Sequence, residues 1–435
     1  MDRLEDLDHG VNVAVIGAGW AGLAAAVTLA QANIRVSVFE AARHLGGRAR
    51  SLEIEGVKLD NGQHILIGAY RETLRLMRAV GADPDKLLLR APLAIEYPGR
   101  FSLRAPRLPA PLHLAAALLA ARGISWRERV AALRFMRAMR STGYRVAADL
   151  PVAELLARHG QAGALTRYLW EPLCVSALNT PAACASAQIF LNVLRDALDD
   201  AREASDLLIP RTDLGQLFPE PAAQFVRANG GSVLPGTPVR TLDQTDSGFM
   251  LDAGPQRYSH VILALGPHQL APLLERFATL APVRQSAAAL AYEPIYTCYL
   301  QYPPAVAMPQ AMTGFDGGNI QWVFDRGRLN AIPGLLAAVI SARGAHQSAS
   351  QDALAASIHR ELAAFLPGLP APLWSRVIAE KRATFSCRPA IARPANRTAV
   401  EHLYLAGDYT ASDYPATLEA AVRSGVRAAG LVQQR

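Results

Sequence analysis

Residues 11–40 read VNVAVIGAGWAGLAAAVTLAQANIRVSVFE, and this stretch predicts a βαβ unit. Val11–Ile16 is a continuous apolar run, which is typical of a strand buried inside a parallel sheet. An alanine-rich helix is expected over Trp20–Ala32. A second strand is expected over Ile34–Phe39, and Glu40 ends it. Strand, helix, strand and terminal acid together indicate a nucleotide-binding half of an α/β fold.

Three glycines with GxGxxG spacing follow the first strand. Gly17 permits a tight turn, Gly19 lets backbone N–H groups approach a pyrophosphate, and Gly22 lets the helix pack closely on the sheet. The start of the helix adds positive potential for phosphates. Glu40 lies 18 residues after Gly22, where a carboxylate accepts hydrogen bonds from a ribose diol. An acid at this position disfavours a 2′-phosphate, so the unit predicts FAD or NAD.

A second glycine motif comes directly after this unit, in the segment HLGGRARS at 44–51. Gly46 and Gly47 allow a backbone path that side chains would block. Arg48 is a natural bidentate partner for a pyrophosphate. We therefore expect this segment to lie along the same nucleotide.

The C-terminal stretch LYLAGDYTASDYPATLEAAVRSG, at 403–425, predicts an independent flavin site. A short strand over Leu403–Ala406 is followed by a helix from about Ala416 toward Leu431. The N-terminus of this helix would stabilise the negative charge of a reduced flavin near N1 and the C2 carbonyl. Asp408 is placed to hold a ribityl hydroxyl.

Residues 230–267 alternate short apolar runs with turn residues, which predicts a small β-meander followed by a buried strand over Val261–Leu265. No second GxGxxG follows a strand in the sequence. We therefore expect no built-in NADPH site, and an external carrier would supply the electrons.

The composition is that of a globular protein, with 435 residues, 51% of them apolar, and a net charge of +7. Only three of the 44 basic residues are lysines. Either the base composition of the genome or a basic face toward anionic lipid or a pyrophosphate substrate explains this bias. The arginines are spread along the chain, which disfavours nucleic acid as a partner.

The four cysteines form no CxxC motif, which predicts buried free thiols and no metal site. The first ten residues, MDRLEDLDHG, do not resemble a signal peptide. The longest apolar runs, at 112–121 and 332–342, are shorter than the ~20 residues that span a bilayer. We expect a soluble or peripheral protein.

Two insertions separate the nucleotide-binding segments. In the first, WRERVAALRFMRAMR at 126–140 places Trp126, Val130, Leu133 and Met136 on one helical face. Such a helix either dips into a bilayer or caps the core. In the second insertion, AYEPIYTCYLQYPP at 291–304 predicts a strand whose tyrosines line a pocket or simply pack within a sheet. Asp316, Trp322 and Phe324 occupy a similar stretch, and an apolar pocket of this kind suits a hydrocarbon.

These motifs together resemble the superfamily of flavin-dependent amine oxidases and carotenoid desaturases. The resemblance implies non-covalent FAD in a Rossmann-like α/β domain, with α+β insertions, built from residues 1–90, 205–270 and 380–435. It implies a substrate or cap domain at 91–204 and 271–379. It also implies cofactor contacts from Gly17, Gly19, Trp20, Ala21, Gly22, Glu40, Ala41, Gly46, Gly47, Arg48, Gly62, Gln63, His64, Val239, Gly407, Asp408, Thr417, Leu418 and Ala421.

The segment DNGQHILIGAYRETLRLM at 60–77 is similar to plant-type phytoene and ζ-carotene desaturases, and more closely to bacterial hydroxysqualene dehydroxylases. PRTDLGQLFPEPAAQFVRANGG at 210–231 and FSCRPAIARP at 385–394 fit the latter family too. The resemblance implies hydride transfer from FADH2 to hydroxysqualene, giving squalene and water in hopanoid biosynthesis. A carotenoid-type desaturase or isomerase is the alternative, and an amine oxidase is disfavoured.

The chemistry requires a general acid for the departing hydroxyl and a pocket that excludes water. His64 is the favoured acid, Tyr70 and the tyrosines near 292–299 are alternatives, and Asp60 is expected to be structural. The resemblance also implies a cytoplasmic protein, peripheral on the inner face of the bacterial membrane, that meets other squalene-pathway enzymes.

Overall fold

The computed structural model describes residues 11–434, so the predicted absence of a signal peptide at 1–10 lies outside the described residues. The described part contains twenty β-strands. They are β1 (Asn12–Ile16), β2 (Arg35–Glu40), β3 (Ser51–Ile54), β4 (Val57–Asp60), β5 (Leu66–Ile67), β6 (Leu88–Ala91), β7 (Ala94–Tyr97), β8 (Phe101–Arg104), β9 (Leu207–Pro210), β10 (Ser232–Pro235), β11 (Leu242–Thr245), β12 (Gly248–Leu251), β13 (Gly254–Tyr258), β14 (His260–Leu263), β15 (Tyr292–Gln301), β16 (Met312–Gly314), β17 (Trp322–Asp325), β18 (Leu335–Ser341), β19 (Trp374–Phe385) and β20 (Leu403–Leu405).

Sixteen α-helices accompany the strands over the same range, together with short 3₁₀ segments and two π-helical turns. The α-helices are α1 (Trp20–Gln31), α2 (Arg71–Ala79), α3 (Pro84–Leu87), α4 (Leu112–Ala120), α5 (Trp126–Ser141), α6 (Val152–Arg158), α7 (Gly163–Leu165), α8 (Glu171–Leu178), α9 (Ala187–Leu194), α10 (Leu214–Leu217), α11 (Pro219–Ala228), α12 (Leu270–Leu274), α13 (Ala281–Ala288), α14 (Arg326–Asn330), α15 (Gln351–Phe365) and α16 (Leu418–Gln433).

A five-stranded parallel sheet of order β10-β2-β1-β14-β20 confirms the predicted βαβ unit and the α/β class. Its central strand β1 sends Val13 and Val15 to one apolar cluster and Ala14 and Ile16 to another. Both faces are therefore buried, which explains the continuous apolar run. The strands come from the three chain segments predicted for the FAD domain. The predicted meander is also present, as the antiparallel sheet β11-β12-β13.

A second five-stranded sheet, of order β16-β17-β18-β15-β19, lies between α15 and the cavity described below. Its outer strand β19 runs across residues 379 and 380, so the predicted domain boundary falls inside a strand. The division into domains otherwise stays a prediction.

Of the two expectations for the tyrosines of the strand at 291–304, packing within a sheet is confirmed and lining a pocket is not. Tyr296, Tyr299 and Tyr302 are buried in apolar clusters, and only Ile295 of β15 reaches the cavity. The reason is the position of β15. It is an inner strand between β18 and β19, and each of its faces packs into an apolar cluster, with Tyr299 in one cluster and Tyr296 in the other.

The predicted apolar face of the helix at 126–140 is only partly buried, since Leu133 and Met136 pack against the core and Trp126 does not. The residues that α5 buries are Ala132, Phe135 and Met139, about one turn apart on a different face. Trp126 is 63% exposed. No helix in the described range combines the length and the apolar character needed to cross a membrane.

Candidate active site

The turn between β1 and α1 has the backbone geometry that its glycines allow. Gly17 has φ of +106°, and a Cβ there would lie 2.5 Å from the carbonyl oxygen of Ala264. Its N–H donates to the carbonyl of Phe39 over 2.7 Å. A side chain on Gly22 would collide with the carbonyl oxygen of Gly17. Gly22 therefore serves helix–strand packing and does not line the cavity.

Glu40 closes the turn from the end of β2. Its carboxylate accepts hydrogen bonds from the N–H groups of Ala18, over 2.8 Å, and Ala42, over 2.9 Å. These bonds hold the acid at the edge of the cavity beside the glycine turn. This is the placement expected of a group that binds a ribose.

Arg48 connects three distant segments. Its guanidinium forms an ion pair with Asp408, and it donates to the carbonyl of Ala383 over 3.0 Å. The preceding Gly46 donates its N–H to the carbonyl of Ala18 over 2.9 Å, so the GGR segment lies against the glycine turn. The N-terminal and C-terminal motifs therefore form one continuous surface.

The helix α16 starts at this surface. Thr417 caps it, because its hydroxyl accepts the N–H of Ala420 over 3.1 Å. The buried carboxylate of Glu419 accepts from the N–H groups of Glu72 and Thr73, over 3.0 and 2.9 Å. These contacts fix the start of α16 against α2, with its first turn open to the cavity.

In the DNGQH turn, Asp60 lies away from the cavity and the four residues after it line the cavity. Asp60 accepts the N–H of Leu214 over 2.7 Å, and its own carbonyl accepts the hydroxyl of Tyr299 over 3.0 Å. Asn61 accepts the N–H of Arg50 and donates to the carbonyl of Arg48. Asp60 does not line the cavity, which confirms its structural role.

A buried arginine contacts two side chains of this turn. Arg326 is 1% exposed; it donates to the side chain of Gln63 over 2.6 Å and lies 3.5 Å from the carboxylate of Asp60. Burial raises the pKa of Asp60 to about 6, although Arg326 opposes the shift. Within the described residues, the Nε of Arg326 has no hydrogen-bond partner.

His64 lines the cavity with one ring nitrogen already engaged. Its Nδ1 lies 2.9 Å from the carbonyl oxygen of Gly62, so the neutral ring carries its proton there and leaves Nε2 as an acceptor. Burial lowers the pKa of His64. Burial also raises the pKa of Tyr70, which makes that phenol a weaker acid. Of the two, His64 is the better proton-transfer group.

One cavity of about 1400 Å³ joins these motifs. Its volume exceeds the range of roughly 300–1,000 Å³ typical of a single small-ligand site, so it has room for a cofactor and a second molecule. Eighteen of the nineteen residues predicted to contact the cofactor line it, and Gly22 is the exception. Those eighteen are Gly17, Gly19, Trp20, Ala21, Glu40, Ala41, Gly46, Gly47, Arg48, Gly62, Gln63, His64, Val239, Gly407, Asp408, Thr417, Leu418 and Ala421.

Away from the cofactor motifs, the cavity wall is apolar and aromatic. The second sheet contributes Trp322, Phe324 and Val339, as the sequence indicated for two of them. The helical insertion contributes further side chains, namely Leu114, Leu169, Trp170, Leu173, Val193 and Leu194. Asp316 instead pairs with Arg167 outside the cavity. This part of the cavity suits a long hydrocarbon.

The sequence reasoning missed a polar group of side chains at the cavity. Glu380, Lys381 and Arg382 lie on β19, and His268 lies near them. No local sequence signal marks them, because only the position of β19 in the folded chain brings them to the cavity. All four cysteines are free, and none of them lines the cavity.

Comparison with known proteins agrees with this site. The model of the family "flavin containing amine oxidoreductase" matches residues 20–433. Hydroxysqualene dehydroxylase of Rhodopseudomonas palustris is 32% identical over 97% of this chain and 98% of its own. A ζ-carotene desaturase of Zea mays is 37% identical, but over only 18% of this chain and 14% of its own. A redesigned putrescine oxidase has the same fold, with a TM-score of 0.73 at 18% identity and coverage of 97% and 98%.

The chain belongs to the family of flavin-containing amine oxidoreductases, and it is an enzyme that uses FAD. Within that family, it is similar along nearly its whole length to hydroxysqualene dehydroxylases. The residues fit the cofactor. A Cβ on Gly19 would extend into open space beside Gly47, Glu40 lines the cavity next to the glycine turn, and the start of α16 is open to the cavity.

Proposed function

We propose that this enzyme reductively removes the hydroxyl of hydroxysqualene. The carbon–oxygen bond breaks, a carbon–hydrogen bond forms at the same carbon, and the hydroxyl leaves with one proton as water. Reduced FAD, when bound, supplies the hydride. The observation that carries the proposal is the apolar cavity that continues directly from the cofactor residues. The full-length similarity to hydroxysqualene dehydroxylases supports the same substrate.

The walls of the cavity suit a cationic intermediate. Loss of the allylic hydroxyl leaves a delocalised carbocation, which water would capture. Aliphatic walls exclude water, and the rings of Trp170, Trp322 and Phe324 offer electron-rich faces to a cation. The chain thereby favours hydride capture over hydration.

The proton for the departing hydroxyl is assigned to His64, with Lys381 as the second candidate. Because Nδ1 of His64 is engaged with Gly62, donation toward the cavity requires a proton on Nε2. Lys381 is an exposed residue at the cavity lining, and an ammonium group carries three donors. His64→Gln and Lys381→Met separate these roles, and His402→Gln and Lys86→Met are matched controls on the surface. The donor variant should lose roughly 10²–10⁴-fold in kcat while it retains FAD.

The decisive experiment is anaerobic. The bound flavin is photoreduced, hydroxysqualene is added, and flavin reoxidation is followed together with product analysis. Reoxidation with formation of squalene supports the proposal. A carotenoid-type desaturase is the alternative, and the short similarity to ζ-carotene desaturase is its support. Reduction of the oxidised enzyme by phytoene, with no response to hydroxysqualene, would establish that alternative.

We also propose that the reductant is an external carrier and that an enzyme producing hydroxysqualene precedes this one. The sequence has one GxGxxG after a strand, which the FAD site uses. Reduction of the bound flavin by NADPH alone, in a purified sample, would contradict the external carrier.

A further inference from the structure

The net positive charge of the chain comes from one segment. Residues 100–140 contain nine arginines and a single acidic residue, Glu128. The rest of the chain has 35 basic and 36 acidic residues, so the segment carries +8 and the remainder −1. The segment contains α4 and α5. Arginines occur along the whole chain, but in this segment nine of them are balanced by a single acidic residue.

The same segment exposes most of the large apolar side chains that reach the surface. Six such side chains are exposed in the described residues, and four of them lie here: Leu108 at 40%, Leu112 at 59%, Leu119 at 42% and Trp126 at 63%. Leu112 and Leu119 are seven residues apart and share one face of α4. The helix sequence, LHLAAALLA, has no Asp, Glu, Lys or Arg.

The opposite face of α4 forms part of the cavity wall. His113, Leu114, Ala117 and Leu118 are buried, and Leu114 lines the cavity. A single helix, about 10 Å across, therefore separates the hydrocarbon-binding space from the outside. A helix that is apolar on both faces is expected where both sides meet apolar surroundings.

We propose that α4, with the adjoining Leu108 and Trp126, docks on the surface of an anionic lipid bilayer. The helix has nine residues and lies in the interface rather than spanning it. Exposed arginines lie in the chain on either side of it and on α5, and within residues 11–434 no carboxylate forms a salt bridge with Arg107, Arg122, Arg127, Arg134 or Arg137. Their charge matches anionic headgroups, and tryptophan and leucine beside arginine suit the interfacial zone.

Only the role of the docking rests on the proposed function: a docked enzyme would take its lipophilic substrate directly from the bilayer through the wall at α4. The docking itself follows from charge and exposure. Of the helix at 126–140, for which the sequence left a bilayer contact open, only Trp126 takes part in the proposed surface, and α4 with Leu108 supplies the rest of its apolar face.

Vesicle flotation tests the docking with the FAD-loaded full chain. Vesicles contain phosphatidylcholine with or without phosphatidylglycerol. We expect the wild type to float with the anionic vesicles, and less so as salt is raised. The combined change Leu112→Ser, Leu119→Ser and Trp126→Ser should weaken binding by about tenfold or more. Leu373→Ser, which alters a leucine that is 67% exposed elsewhere, should bind as the wild type does.

A second variant tests the charge. Arg122→Gln, Arg134→Gln and Arg137→Gln together should reduce flotation with anionic vesicles and leave the weak binding to neutral vesicles unchanged. The control carries the same changes at three exposed arginines outside the segment, Arg35, Arg78 and Arg360. Equal losses in both sets would show that only net charge matters and would overturn the placement.

Two further outcomes reject the proposal. Wild-type protein that floats with neither vesicle type overturns it. So does a wild-type dimer that the serine changes convert to a monomer, because a second copy would then cover α4. Flavin absorbance and thermal unfolding confirm that each variant is folded. Flotation needs no substrate, so failure of docking and failure of the proposed reaction are separate results.

Discussion

Arg48 and Asp408 form an ion pair across 360 residues of sequence, and this contact unites the two ends of the chain at the cofactor surface. The aspartate side chain is 7% exposed and that of the arginine 33%. Asp408 thus pairs with Arg48 and also lines the cavity, where we predict that it holds the ribityl chain of the cofactor.

Asp408→Asn should weaken FAD binding. It removes the charged acceptor at the cofactor and leaves Arg48 without its carboxylate, and hydrogen bonds to charged groups contribute about 1.5–3 kcal/mol. We expect the Kd for FAD to rise roughly 10–100-fold in fluorescence titration of the apoprotein. Asp243→Asn, which breaks the surface pair with Arg276, is the control and should leave the Kd unchanged. An equal Kd in both variants would refute the assignment of Asp408.

Glu40→Arg should abolish stable FAD binding. The change removes the acceptor for the N–H groups of Ala18 and Ala42 and puts a long cation at the ribose position. Flavin content after gel filtration is the measurement, and Glu40→Gln should give an intermediate value. Glu55→Arg alters an exposed acid and serves as the control. Retention of full flavin content by Glu40→Arg would show that this carboxylate does not bind the ribose.

Two glycines on α16 should respond in opposite ways to alanine. A Cβ on Gly425 would collide with the backbone of Ala21 on α1, whereas a Cβ on Gly430 meets nothing within 4 Å. Gly425→Ala should lower the free energy of unfolding by about 1–3 kcal/mol through overpacking. Gly430→Ala should raise it by roughly 0.5–1 kcal/mol, because it removes a flexible residue from a helix. Urea unfolding measures both, and changes of the same sign would contradict the close approach of α1 and α16.

Asp60 should make stability depend on pH in a defined window. Its pKa is about 6 in the folded chain and 3.8 ordinarily, so the folded state holds a proton that the unfolded state has released. Between these values, a rise in pH destabilises the fold. Relative to Asp60→Asn, the wild type should lose about 1–3 kcal/mol from pH 4 to pH 7. If the difference in unfolding free energy between the wild type and Asp60→Asn does not change with pH, then burial does not raise the pKa of Asp60.

His64 should remain neutral at a pH where an ordinary histidine is half protonated. Burial lowers its pKa below 6.5, which NMR titration of the ring would show by comparison with His64→Gln. If His64 donates the catalytic proton, kcat rises as the pH falls through this lowered pKa, and His64→Gln lacks that limb. If kcat still rises at low pH in His64→Gln, another group donates the proton.

The fold was predictable because its signals are local. The βαβ unit at 11–40 combines buried strands with glycines at the positions that its tight turn requires. The start of α16 is marked by Pro415 and by the cap Thr417. The cavity could be anticipated in character, since an apolar insertion beside FAD implies an apolar pocket. Which side chains form its walls depends on strand order, and sequence does not encode that locally.

The alternatives that the sequence left open have one cause. The tyrosines of β15 could line a pocket or pack within a sheet, and the strand order, with β15 between β18 and β19, decides for the sheet. For α5 the helical period was correct, but the sequence did not say which face meets the core, and the structure buries Phe135 and exposes Trp126. Lys381 could not be distinguished from a surface residue until β19 was placed beside the cofactor motifs.

β20 and α16 complete the sheet and the cofactor surface that β1 begins. During synthesis, the N-terminal half of the site emerges from the ribosome long before β20 and α16 exist. FAD therefore has no finished site to bind until these two elements have been made. During that interval the apolar insertions have no complete cofactor domain to pack against. The cellular yield should therefore depend on flavin supply and on chaperones that shield exposed hydrophobic surface.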